Sequence, residues 1–118
     1  MSKNSPEQML PLTPAVFHIL LALADRERHG YGIMQEVTES TQGQVQMGPG
    51  TLYGTIKRMI ASDLIEESDE RPDPELDDER RRYYRLTTFG RQVAAAEARR
   101  LSSLVGIAQS KRLIEGLV

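Results

Sequence analysis

The sequence predicts a mainly α fold with one small β-hairpin and a long terminal helix. Three observations predict it. Three stretches between residues 14 and 62 carry apolar residues at helical spacing. The period then changes, and two short β-prone segments flank an acidic loop holding Pro72 and Pro74. A last apolar stripe runs from Phe89 to Leu117, longer than a small domain needs to close its own core. Three helices, a hairpin and a further helix make the winged helix-turn-helix plan with an added dimerisation helix. In that plan the third helix enters a major groove and the hairpin lies over the neighbouring backbone.

Each element follows from local chemistry. Residues 1–12, with Pro6 and Pro11, read as a poorly ordered lead-in. Thr13 and Pro14 start the first helix, about 14–25, with a hydroxyl at the N-cap and proline at the first helical position. That helix is apolar nearly all round and must be covered on more than one side, which a dimer does well. Asp25 to His29 reads as a charged turn. Gly30-Tyr31-Gly32 opens a second helix, about 30–41, with Ile33, Met34 and Val37 facing in, and Gly43 ends it. Residues 44–47 suit a short extended piece. Gly48-Pro49-Gly50 is a breaker cluster.

The third helix then runs to about Ser62. It places Leu52, Ile56, Met59 and Ile60 on one stripe and Thr51, Tyr53, Thr55, Lys57 and Arg58 on the other. Strands are expected at 64–68 and 82–86, joined by a loop too charged to pack and too long for a tight turn. Thr87 or Thr88 caps the last helix, about 88–115. The chain thus divides into a lead-in (1–12), a winged domain (13–87) with an acidic wing loop at 69–79, and a dimerisation helix (88–118).

Composition excludes several functions. The chain has no cysteine, hence no disulfide, no thiolate metal site and no cysteine nucleophile, which fits a cytoplasmic protein. No apolar run reaches membrane-span length, and Met1-Ser2-Lys3-Asn4 is not a signal peptide. His18 and His29 are isolated, one a packed helix residue and the other a turn residue. No nucleophile–base pair or metal cluster stands out, so neither an enzyme nor a cofactor is expected. With few aromatics and no tryptophan, the core must be aliphatic and small, and it gains by being shared with a second copy.

The formal charge of −2 looks wrong for a nucleic-acid binder until it is located. Residues 66–79 hold nine acids against Arg71, a local charge of −8, which leaves +6 for the rest of the chain. The third helix carries no acid on its outer face, so it suits an anionic polymer. Arg58 is the better base reader, since its fork pairs with guanine, whereas Lys57 suits a phosphate. Solvated surface cations are the plain alternative. Thr51, Tyr53 and Thr55 lie near the helix start, where backbone N–H groups favour phosphate. Gly48, Pro49, Gly50 and Gly54 act through shape, allowing close approach. Arg80, Arg81 and Arg82 either clamp the neighbouring backbone or neutralise the acids before them. Leu101, Leu104, Val105 and Ala108, backed by Phe17, Ile19 and Leu20, are the expected dimer interface.

Several motifs recur together: His29-Gly30-Tyr31-Gly32-Ile33, Gly48-Pro49-Gly50-Thr51-Leu52-Tyr53, Lys57-Arg58-Met59, Leu64-Ile65-Glu66, and Arg81 to Thr87 followed by Gly90-Arg91. In this order they resemble the PadR-like transcriptional regulators, over about residues 12–105. The resemblance implies a homodimeric repressor of the compact subgroup that binds a palindromic operator in double-stranded DNA. It also implies release by a small hydrophobic or phenolic effector, held between the subunits by the first and last helices. Tyr31 and Tyr53 match tyrosines that the family places near DNA, and a packing role stays open for both. Without tryptophan, aromatic stacking on an effector falls to Phe17, Phe89 and the tyrosines. The competing function is a winged-helix protein–protein module that binds through its acidic loop.

Overall fold

The computed structural model describes residues 5–68 and 82–115. A 3-10 turn, Pro6–Met9, leads into α1, Pro14–Leu23. A two-residue strand β1, Arg28–His29, precedes α2, Gly30–Ser40, and α3, Pro49–Ala61. Strands β2, Ile65–Ser68, and β3, Tyr83–Leu86, lead to α4, Thr88–Ser110. The helix starts obey the capping rules. The Thr13 hydroxyl accepts from the Val16 N–H, and the Thr87 hydroxyl accepts from the Gly90 N–H at 2.8 Å. Thr87 also donates to the Asp63 carbonyl at 2.6 Å, tying the start of α4 to the turn before β2. That junction is tight: a Cβ on Gly90 would stand 1.9 Å from the Leu64 carbonyl oxygen.

The sheet is antiparallel in the order β1-β3-β2. Ile65 pairs with Leu86 and Ser68 with Tyr83, while Arg28 and His29 add an edge opposite Tyr84 and Tyr83. The charged turn expected at 25–29 therefore ends in a strand. Arg28 accounts for it. Its Nε donates to the Ala22 carbonyl at 2.7 Å, and its Nη2 lies 3.3 Å from both Asp25 and Glu36. The guanidinium closes the end of α1 and holds the chain extended. The extended piece expected at 44–47, by contrast, forms no strand; the Val45 N–H is taken by the Thr41 hydroxyl at 3.0 Å.

The core is aliphatic and gathers Ile19, Leu20, Leu23, Ile33, Val37, Leu52, Ile56, Met59, Leu64, Ile65 and Val93, with Tyr84. Three expectations need correction here. Ile19 and Leu20 are sealed inside the domain and offer nothing to a partner subunit, since they lie on the stripe of α1 that faces the other helices. Ile60 is exposed, while Thr55 takes its place on the buried face of α3. The lead-in is docked from residue 5 onward: Met9, Leu10 and Leu12 pack on the core, and the Leu12 N–H donates to Glu97 of α4 at 2.8 Å. No helix among the described residues is long and apolar enough to cross a membrane.

Candidate nucleic-acid interface

Helix α3 begins at Gly48 with Pro49 in its first turn and no side chain capping it. Its inner face holds Leu52, Thr55, Ile56 and Met59. Pro49, Thr51, Tyr53, Lys57 and Arg58 are exposed on the remaining surface. By helical geometry Lys57 lies near the middle of that surface, with Thr51 and Arg58 on one flank and Tyr53 on the other. Among the described residues no ion pair neutralises Lys57 or Arg58.

Thr55 was expected to face out, yet it is 1% exposed and cannot touch a duplex. Its hydroxyl instead accepts from Arg58 Nη2 at 3.2 Å, one turn along the helix, and so orients that guanidinium.

Tyr53 is 49% exposed, with the rest of its ring lying over the start of α2. A Cβ on Gly30 would come within 2.3 Å of the Tyr53 hydroxyl, so the missing side chain makes room for the ring. Tyr53 therefore packs against α2 while keeping one edge in solvent. Tyr31, 57% exposed, stacks on His29 with ring centroids 6.5 Å apart and planes 12° from parallel. His29 is more than a turn residue. Its Nδ1 accepts from the Gly32 N–H at 3.1 Å, capping α2, and its ring meets Tyr83 edge-on at 5.2 Å. An imidazole just before a Gly-x-Gly helix start was the available signal for that cap.

At the wing base, Arg82 is exposed and its Nη1 lies 3.3 Å from both carboxylate oxygens of Glu67. Arg85 pairs with Glu66 at 2.9 Å and approaches Glu27 at 3.8 Å, across the β2–β3 ladder. The neutralising role weighed for the wing arginines is thus visible at Arg82. An exposed pair of this kind contributes little stability. Beneath it, burial pushes the Tyr84 hydroxyl above its ordinary pKa, and the Glu67 charge adds to the rise. Arg80, Arg81 and the acidic loop 69–79 lie outside the described residues.

A second surface lies on α4. Leu104 and Ile107 are about half exposed, at 49% and 51%, and Leu101, Val105 and Ala108 are partly covered. On α1, Phe17 is partly covered and Leu21 is exposed. Leu21 and Ile107 were missed in the sequence. On α1 nearly every residue is apolar, so composition could not distinguish the Phe17–Leu21 stripe from the buried one. Among the described residues no cluster of histidines and acids is placed to hold a metal.

Residues 19–96 match the model of the Transcriptional regulator PadR-like family. The transcriptional regulator Rv3488 of Mycobacterium tuberculosis is 39% identical over 87 residues, which cover 74% of this chain and 75% of that protein. Two further relatives are spanned over 23% and 64% of their own length. Among solved structures, a PadR family transcription regulator from Clostridium difficile R20291 superposes with a TM-score of 0.69 at 23% identity, covering 83% of this chain and 97% of that one. Bacillus subtilis PadR in complex with operator DNA gives a TM-score of 0.59 at 21% identity, covering 73% of this chain and 47% of that one. At such identities these two structures establish likeness of fold.

Proposed function

The chain belongs to the PadR-like family of transcriptional regulators, and on that premise we propose that it binds a palindromic operator as a homodimer and represses transcription. The observation that carries this reading is the outer surface of α3. It is acid-free and exposes Lys57 and Arg58 without neutralising partners. Tyr31 and Tyr53 border it at the α2 side, and Thr51 adds a hydroxyl near the helix start. Cations placed on a rigid helix are the footprint that a major groove accepts. Solved PadR bound to operator DNA supports the assignment by likeness of fold.

The exposed apolar stripe on α4 supports two-fold pairing. Leu101, Leu104, Val105, Ile107 and Ala108, with Phe17 and Leu21 of α1, form the proposed dimer seam. Paired there, two copies present their α3 helices to half-sites about one helical turn apart. A small hydrophobic or phenolic effector, seated between the subunits against α1 and α4, would release the operator. A cytoplasmic location goes with that role.

Selection of duplexes from a random pool, with and without candidate effectors, tests the reading directly. A two-fold symmetric sequence is the expected product. The log–log salt slope of its binding should be steep, at about −0.9 per phosphate neutralised. Lys57→Ala should weaken all sequences alike and flatten the slope by about one unit, whereas Arg58→Ala should also relax specificity at one position, by about 1–3 kcal/mol. No enriched sequence, or a slope near zero, overturns the proposal.

A further inference from the structure

We infer that Glu97 is a positioning residue for the DNA-binding face: it latches the lead-in across α4, and the latched lead-in forms the wall that holds Arg58. The inference rests on the proposed reading of Arg58 as an operator contact.

Glu97 is a charged residue only 2% exposed, on the buried stripe of α4 next to Ala96. A buried carboxylate is costly unless its oxygens are met by donors and its charge by a cation. Both conditions are satisfied. Oε1 accepts from Arg100 Nε, and Oε2 accepts from Arg100 Nη2 at 3.2 Å and from the Leu12 N–H at 2.8 Å. The last contact joins residues 85 apart in the chain. An acid placed here is not needed for packing, since an aliphatic side chain would fill the space at lower cost. What the carboxylate adds is a fixed anchor for one backbone amide of the lead-in.

Leu12 also lines a cleft of about 200 Å³. Met9, Pro11, Leu12 and Thr13 of the lead-in and helix cap line it together with Arg58, Met59 and Ser62 of the α3 region. The same cleft therefore joins the latched segment to the α3 cation proposed to read the operator. Arg58 is bonded at its Nη2 by the Thr55 hydroxyl, and its side chain lines the cleft whose other residues include the segment that Glu97 anchors. Releasing the wall returns rotamer freedom to a long side chain, and binding must then remove it again.

The test compares operator affinity of the full chain and its Arg58→Ala, Glu97→Ala and doubly substituted forms, at a temperature where all are folded. Glu97→Ala should weaken binding about two- to tenfold, the equivalent of freeing one rotamer-rich side chain. The double variant should bind no more weakly than Arg58→Ala alone, because both changes remove the same contribution. Glu97→Gln keeps an acceptor for the Leu12 amide and should bind as the unsubstituted chain does. If Glu97→Ala does not fold, Leu12→Ala trims the wall and leaves the latch in place, and it should show the same non-additivity with Arg58→Ala. Normal operator affinity in Glu97→Ala and Leu12→Ala, or effects that multiply with that of Arg58→Ala, overturns the latch while Arg58 stays an operator contact. An Arg58→Ala form that binds normally overturns the operator reading of Arg58, and the latch with it.

Discussion

From Gly90 to Glu97 the last helix is sunk into the domain, with Gly90, Val93, Ala96 and Glu97 buried in sequence. From Leu104 to Ile107 the same helix carries large apolar side chains into solvent. The two halves follow one rule of sequence, apolar residues at helical spacing, and end in different surroundings. At 23 residues, or about 35 Å, the helix outruns the small core beneath it. The first half is held by its own chain. Among the described residues nothing buries Leu104 and Ile107 of the second half, and an exposed apolar stripe marks an interaction site. Periodicity reports which face of a helix is to be covered, and only tertiary structure reports by what.

Charge inserted into each half separates them most sharply. Val93 is fully buried, so Val93→Asp should leave no cooperative unfolding transition, because an unpaired buried charge costs as much as a small domain's whole stability, about 5–15 kcal/mol. Leu104→Asp should keep the circular dichroism of a folded protein and sediment as a monomer that no longer binds the operator. A stable Leu104→Asp dimer would remove α4 from the proposed seam.

Glycine draws a finer contrast. At Gly90 an added methyl meets the Leu64 backbone carbonyl, which cannot move aside cheaply. Gly90→Ala should cost about 3 kcal/mol, read as a fall in the denaturant midpoint. At Gly106 nothing lies within 4 Å of such a methyl. Gly106→Ala should then raise stability by about 0.5–1 kcal/mol through helix propensity. A loss instead would place the partner's helix in close contact with α4 at Gly106, sharpening the dimer geometry.

Much of this architecture is legible in the sequence alone. Thr13-Pro14, Gly30-Tyr31-Gly32 and Thr87 announced three helix starts, and the change of period announced the two long strands. Three parts were not, each for a physical reason. On α1 almost every residue is apolar, so burial contrast could not choose between the Ile19–Leu20 side and the Phe17–Leu21 side. On α3, Thr55 was assigned by its hydroxyl, although its spacing from Leu52 and Met59 places it on the inner face; Ile60, assigned by its hydrophobicity, falls at the edge. The docked lead-in depends on a contact between Leu12 and Glu97 that no local pattern encodes. The one trace was an acid set among the small and aliphatic residues of the helix's buried stripe.

That acid also divides the two halves of α4 by pH. Hydrogen bonding from Arg100 holds the Glu97 carboxyl below its ordinary value of 4.5, against the opposing effect of burial, and the Leu12 amide lowers it further. A carboxyl whose folded pKa is depressed binds its proton more readily in the unfolded chain. Its contribution to stability is therefore complete above about 4.5 and is lost as pH falls through the folded value. Other acids titrate in the same range, so the quantity to follow is the difference between the unsubstituted chain and Glu97→Gln. In denaturant titrations that difference should be flat from pH 7 to 5 and shrink steadily below. Over the same range the Leu12 amide should lose part of its protection from hydrogen exchange, because a protonated carboxyl keeps an acceptor but a weaker one, while the Leu104–Ile107 half of the helix, with no acid between Arg99 and Ser110, should not change its exchange with Glu97. A difference that stays constant down to pH 3 would mean that the carboxylate's charge adds nothing to the latch, and that only its hydrogen-bond acceptors matter.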